Sequence, residues 1–141
     1  MQSEARRIQA ALAQLAAEGV DAGRIADTAV STWREVDAAL SPIIGQHGVA
    51  ALFRRSLYLT RADFPALATV HDGELQPGEF AALRSALSQQ TSADAAIANG
   101  ALLQVFYDLL ASMIGGSLTE RLLRSVGNNL SSGHAVQVTS P

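Results

Sequence analysis

Residues 92–114 read SADAAIANGALLQVFYDLLASMI, and this stretch decides the fold class. Ala95, Ala98, Leu102, Val105, Leu109 and Met113 recur at intervals of three or four, the spacing of one face of an α-helix. Phe106 and Leu110 widen that stripe, as expected of a helix at the centre of a bundle. Ser92 stands where an N-cap is expected, and Asp94 places a negative charge in the first turn, where the helix dipole favours one. Gly115-Gly116 breaks the pattern. Ser117 and Glu120 then form an S-x-x-E capping box that opens a last helix to about Val126, with Leu118, Leu122 and Val126 on one side.

Upstream, nearly every segment keeps the helical period. Ser3 to Glu18 places Ile8, Leu12 and Leu15 on one face and stops at Gly19. Gly23 to Leu40 aligns Ala26, Val30, Trp33, Val36 and Leu40. Ser41-Pro42 reads as a fresh start, because Ser caps free amides and Pro suits the first helical position. The third helix is therefore expected from Pro42 to Thr60, with Gly45 and Gly48 marking a bend or a close backbone approach. Arg61 to Pro77 predicts a short helix and a loop, and Gly78 to Gln90 another helix carrying Phe80, Leu83 and Leu87. No repeat of solenoid length and no convincing strand alternation is visible. The expectation is an all-α bundle of five or six helices, a single domain over residues 1–126, followed by a flexible, Gly/Ser/Asn-rich tail at 127–141. Trp33, Leu40, Phe53, Leu57, Leu102, Phe106 and Leu109, the largest residues on the most periodic faces, should form the core.

The composition narrows the function classes. The 141 residues are 48% hydrophobic and 16% charged, too apolar for a disordered chain. The absence of cysteine excludes disulfides, thiolate metal sites and cysteine nucleophiles. All ten cationic side chains are Arg, so lysine chemistry is excluded as well. A formal charge of −3 argues against general attraction to nucleic acid or anionic lipid. The apolar stretches are broken by Asp108, Gly115 and Arg54-Arg55, which points away from a membrane span and toward a soluble, cytoplasmic protein.

Catalytic signatures are missing, among them GxSxG, HExxH, the P-loop, GxGxxG and a carboxylate–x–x–His pair. The scattered carboxylates read as solvated faces, and no metal site or cofactor is expected. His47, flanked by Gly45 and Gly48, is the histidine most open to haem ligation or phosphoryl transfer; the plainer reading is an exposed helix start. Arg54 and Arg55, with Arg61 further on, form the one local cationic cluster, beside which Trp33, Tyr58 or Tyr107 could stack. Arginines bind phosphate bidentately, so a ligand site at His47, Arg54 and Arg55 is one expectation; ion pairing with Glu35, Asp37 or Asp63 is the plainer one.

The runs Trp33-Arg34, Leu40-Ser41-Pro42-Ile43-Ile44-Gly45 and Gly48 to Thr60, with Leu109 to Gly115 and Leu118 to Leu123, resemble a family of small uncharacterised all-helical bacterial proteins. That family is loosely associated with sensory-kinase and response-regulator gene neighbourhoods. The resemblance covers residues 25 to 126, brings no established activity and transfers no site residues. It implies a signalling accessory. A histidine-phosphotransfer domain would be an obvious relative, yet His47 lacks the basic and small residues that follow a phosphorylated histidine.

Taken together, the reading favours a non-enzymatic interaction module of bacterial signal transduction, with a ligand- or cofactor-binding helical sensor as the alternative. The wide apolar surface of the last two helices further predicts a homodimer through Phe106, Leu110, Met113, Leu118, Leu122 and Leu123. The competing expectation is that the first helix and the Phe64 to Val70 segment fold over this surface within one chain.

Overall fold

The computed structural model describes residues 4–73 and 76–126, and these are all-helical, with seven helices and no strand. They are α1 (Glu4–Ala17), α2 (Ala22–Ile44), α3 (Gln46–Thr60), α4 (Pro65–Asp72), α5 (Ala81–Ser88), α6 (Ser92–Ile114) and α7 over 116–126. The expected tail at 127–141 lies outside the described residues.

The helix expected from Gly78 begins at Ala81, because Gly78 turns to φ 76°. The helix starts differ from expectation at three further points, each with a local cause. Ser41-Pro42 does not start a helix. Pro42 sits inside α2, which runs on to Ile44 and ends only where Gly45 turns to φ 81°. So near the helix end, proline's missing N–H removes a single ladder bond. The Gly45 N–H then bonds the Ser41 carbonyl at 2.9 Å, and α3 begins one residue later. At α6 the cap is Thr91 rather than Ser92: its hydroxyl accepts from the Asp94 N–H at 3.0 Å. The expected capping box at Ser117 and Glu120 is also replaced, because Glu120 directs its carboxylate across the fold to Tyr107 and to the N–H of Glu4.

Two stretches of the chain repeat at an offset of 70 residues, from Asp21 to Thr91 and from Gly45 to Gly115. Asp21 caps α2 by accepting from the Arg24 N–H at 2.9 Å, as Thr91 caps α6. Both helices are 23 residues long. Both end at a glycine with nearly the same backbone angles, φ 81° and ψ 156° against φ 91° and ψ 151°. The Gly115 N–H bonds the Ala111 carbonyl at the same 2.9 Å seen at Gly45. The order of buried, half-buried and exposed positions over 41–50 recurs without change over 111–120. Little identity survives: Ala26/Ala96, Leu40/Leu110, Ile44/Ile114, Gly45/Gly115, Leu52/Leu122 and Arg54/Arg124 are the matching pairs over 21–56 and 91–126.

The packing follows the repeat. α1 lies mainly against α6 and α5 mainly against α2, so the short helix preceding each long helix covers the other long helix. α1 comes close because α6 carries Gly100, where a Cβ would stand 3.3 Å from the Gln9 side chain. Gln9 Nε2 also donates to Gln104 Oε1 at 3.0 Å. α6 is long and apolar enough, by length and composition alone, to cross a membrane; here α1 and α3 pack along it.

Of the residues expected in the core, Trp33, Leu40, Phe53, Leu57, Leu102 and Phe106 are buried, and Leu109 is partly so. Trp33 is the centre of an aromatic cluster. Its ring meets Phe53 edge-on at 5.0 Å and Phe106 edge-on at 5.1 Å, with Phe80 stacked at 6.5 Å. Such edge-on pairs each add about 0.5–1.5 kcal/mol beyond their burial.

Candidate interaction surface

The sequence offered two sets of functional residues, and the fold treats them differently. Of the six expected to form an interface, Phe106, Leu110 and Leu123 are at most 1% exposed. They belong to the core of the single chain and present no surface. α1, α2 and α3 all pack along α6, and Phe106 meets Trp33 of α2. The first helix thus covers α6 as the competing expectation held, whereas the Phe64 to Val70 segment packs mainly, as α4, on α3 and α5. Leu118 and Leu122 are half-buried, whereas Met113 is 60% exposed.

His47 is exposed in the first turn of α3, as are Arg54 and Arg55 further along the same helix. His47 stands seven residues before Arg54, about 10 Å along the axis, so it does not converge on the arginines. Neither Trp33 nor Tyr107 stacks with them. Trp33 is enclosed by phenylalanines, and Tyr107 donates its hydroxyl to Glu120.

Tyr58 does the stacking. The Arg61 guanidinium lies over its ring at 3.7 Å from the centroid, and that of Arg55 at 5.2 Å. Spacings of three residues on either side put all three side chains on one strip of α3 and its C-terminal cap. Arg61 is fixed further by a 2.5 Å hydrogen bond from Nη1 to the Tyr58 carbonyl, one of the last carbonyls of the helix. From α4, the His71 ring approaches Tyr58 at 5.7 Å, while His71 Nδ1 lies 3.3 Å from Asp72 Oδ1. Leu59 beside them is 43% exposed and Tyr58 itself 41%. No acidic residue stands between Asp37 and Asp63, although the chain has more acids than bases. The i, i+3 spacing of Arg55, Tyr58 and Arg61 was legible; the approach of His71 needed the α3–α4 turn.

A second polar cluster joins the two ends of the described bundle. Glu120 accepts from the Tyr107 hydroxyl through one oxygen and from the Glu4 N–H through the other, the latter at 3.1 Å. The largely buried Glu4 carboxylate is met by Arg7 at 3.1 Å and Arg124 at 3.6 Å. The hydrogen bond to Glu120 pushes the Tyr107 phenol up to about 12, helped by burial and by the charges of Glu120 and Asp108. This cluster pins α1 to α7. No residue type in its sequence surroundings announced it, because its members lie from 3 to 120 positions apart.

Two concavities among the described residues bear on a ligand role. One, beside Trp33, Asp37, Ala50, Phe53 and Phe80, has a volume of about 10 Å³. That is room for a single water. The other is an open groove of about 400 Å³ between α4 and α5, lined by Ala66, Thr69, Val70, Ser85, Ala86 and Gln89 among others. Among the described residues no group of three His, Asp or Glu side chains is placed to hold a metal ion.

No family model, curated protein or solved structure matches the chain.

Proposed function

We propose that this protein is a non-enzymatic interaction module that engages another protein through the exposed face of α3. The family resemblance would make it an accessory of bacterial signal transduction, and the interrupted apolar stretches of the sequence support a cytoplasmic location. The observation that carries the reading is the strip on which a half-exposed tyrosine holds two guanidiniums beside an exposed leucine. Tyrosine and arginine are the residue types most enriched at the energetic centres of protein interfaces. Side chains already held in place lose little further freedom on binding.

The test is site-specific photo-crosslinking in the cells that produce the protein. A photoreactive amino acid at Leu59 should trap a discrete partner, and the same group at the exposed Ala10 of α1 should not. Equal trapping at both positions, or none at Leu59, would overturn the reading.

A second reading, a ligand-binding sensor, is favoured by the groove between α4 and α5, whose volume falls in the range of small-molecule sites. Its site would then be this groove and not the His47, Arg54 and Arg55 set. Thermal denaturation across a metabolite panel tests it: a ligand that binds there raises the melting temperature of wild type but not of Ala86→Trp.

A further inference from the structure

We infer that the Arg55–Tyr58–Arg61 cluster is the anchor for an acidic segment of the partner, in which a carboxylate is gripped by the two guanidiniums and an apolar neighbour packs on Leu59. The inference rests on the reading of the chain as an interaction module and names the chemistry of what it binds.

Donor geometry comes first. An arginine offers five N–H donors, and Arg61 spends one on the Tyr58 carbonyl. Among the described residues neither Arg55 nor Arg61 is in an ion pair, unlike Arg7, Arg84 and Arg124. Donors therefore remain on two guanidiniums that one aromatic ring holds in place. A planar guanidinium matches a carboxylate through two parallel hydrogen bonds, which an ammonium does not.

Charge complementarity comes second. Residues 38–62 hold Arg54, Arg55 and Arg61 and no acid, whereas the whole chain carries a formal charge of −3. The surface thus presents a local positive field to an acidic approach, and Asp72 is turned to His71.

The third argument is the mixed character of the strip. Tyr58 lies against both guanidiniums, and Leu59 is the i+4 neighbour of Arg55, so exposed apolar surface adjoins the positive charge. A free anion would leave this surface wet. A protein segment that alternates acidic and apolar side chains covers both.

The repeat supplies an internal precedent for the chemistry. Arg124, the α7 counterpart of Arg54, already faces a carboxylate from another element, that of Glu4 on α1. A helix arginine in this fold thus meets an acid carried on another segment.

The experiment uses the full chain, ¹⁵N-labelled, titrated with a synthetic peptide of about ten residues made of glutamates around one central leucine. Saturable shifts should centre on Arg55, Tyr58, Leu59, Arg61 and His71, and the affinity should fall as salt is added. Arg55→Glu with Arg61→Glu should weaken binding about tenfold or more, as expected for anchor residues. Tyr58→Ala should weaken it comparably, whereas Tyr58→Phe, which keeps the ring, should not. Arg55→Lys separates bidentate recognition from charge alone and should also bind less tightly. Arg121→Glu, the same charge change on exposed α7, is the control and should bind as wild type does. All these positions are wholly or partly exposed, and circular dichroism confirms that each variant is folded.

The inference is overturned if no saturable shift occurs, if the shifts map elsewhere, if the double variant binds as well as wild type, or if Arg121→Glu weakens binding as much. It also falls if the strip proves to hold a second copy of this chain, seen as dissociation of a dimer by the double variant. A partner trapped at Leu59 with no binding of the acidic peptide would remove this inference and leave the interaction module standing.

Discussion

The indole Nε1 of Trp33 donates a 2.8 Å hydrogen bond to Oδ1 of Asn99, buried between the two long helices. Both residues are at most 2% exposed, and among the described residues no buried side-chain nitrogen or oxygen is left without a partner. An asparagine in the most apolar helix of the chain is thereby explained. It satisfies the one polar atom of the large ring at the centre of the core.

Asn99→Leu keeps the volume and removes the acceptor, leaving the indole N–H dry and unpaired. The expected loss is about 1–3 kcal/mol in urea unfolding. Trp33→Phe combined with Asn99→Leu removes both polar groups, so the hydrogen-bond part of the loss should shrink in the double variant. Strictly additive losses would show that the bond contributes nothing beyond packing.

The repeat predicts paired behaviour at its two glycine corners. Gly45 and Gly115 have φ 81° and 91°, and nothing stands within 4 Å of an added Cβ at either. With ψ near 150° both lie in a backbone region essentially confined to glycine, so substitution to Ala carries a backbone penalty without a steric one, about 1–3 kcal/mol at each site. The next residue supplies a contrast. Gly116 is helical, has open space around it and carries no positive φ, so Gly116→Ala should stabilise by about 0.4–1 kcal/mol. Thermal or urea unfolding of the three variants checks the set. Unequal losses at Gly45 and Gly115 would mean that the two corners are not energetically equivalent.

The helices themselves were legible because apolar residues at three- and four-residue spacing survive wherever a helix is half-buried. The repeat was not legible. Burial and backbone angle recur at Trp33/Leu103 or Asp37/Tyr107, whereas residue type does not, since a core position tolerates any side chain its neighbours can repack around. The proline at 42 misled for a related reason: local preference favours a helix start, whereas α2 carries the proline two residues before its end and forgoes the ladder bond to Ala38. Within the candidate surface, Arg55, Tyr58 and Arg61 could be grouped by helical spacing alone. What spacing could not reveal was which aromatic ring the arginines would use, because the burial of Trp33 and the pairing of Tyr107 depend on helices distant in sequence.

Tyr107 gives the fold a dependence on alkaline pH. Its phenol is pushed up to about 12, first by the hydrogen bond to Glu120 and then by burial and neighbouring negative charge. An unfolded tyrosine ionises near 10. The folded state therefore holds this proton more tightly. The stability it contributes is complete below pH 10 and lost as the pH climbs from 10 toward 12. Tyr107→Phe cannot ionise, so its stability should fall less steeply over that window than that of wild type. Chemical denaturation at pH 8, 10 and 11 provides the comparison. Parallel losses in the two proteins would place the alkaline sensitivity elsewhere.

Leucines 122 and 123 are adjacent in α7 but differ in burial, and glutamate substitution separates interface from core. Leu123 is 1% exposed, so a charge placed there is taken out of water. Leu123→Glu should therefore be strongly destabilising, by several kcal/mol, or fail to fold at all. Met113 is 60% exposed, so Met113→Glu should leave the unfolding midpoint within about 0.5 kcal/mol of wild type. Light scattering on the same samples addresses self-association directly. If two copies meet through the last helices, the contact must use Met113 and the half-buried Leu118 and Leu122, since Phe106, Leu110 and Leu123 are already enclosed. Met113→Glu would then convert a dimer to a folded monomer. A wild-type protein that is monomeric at micromolar concentration, with Met113→Glu unchanged in both size and stability, would show that the last helices form no interface between copies of the chain.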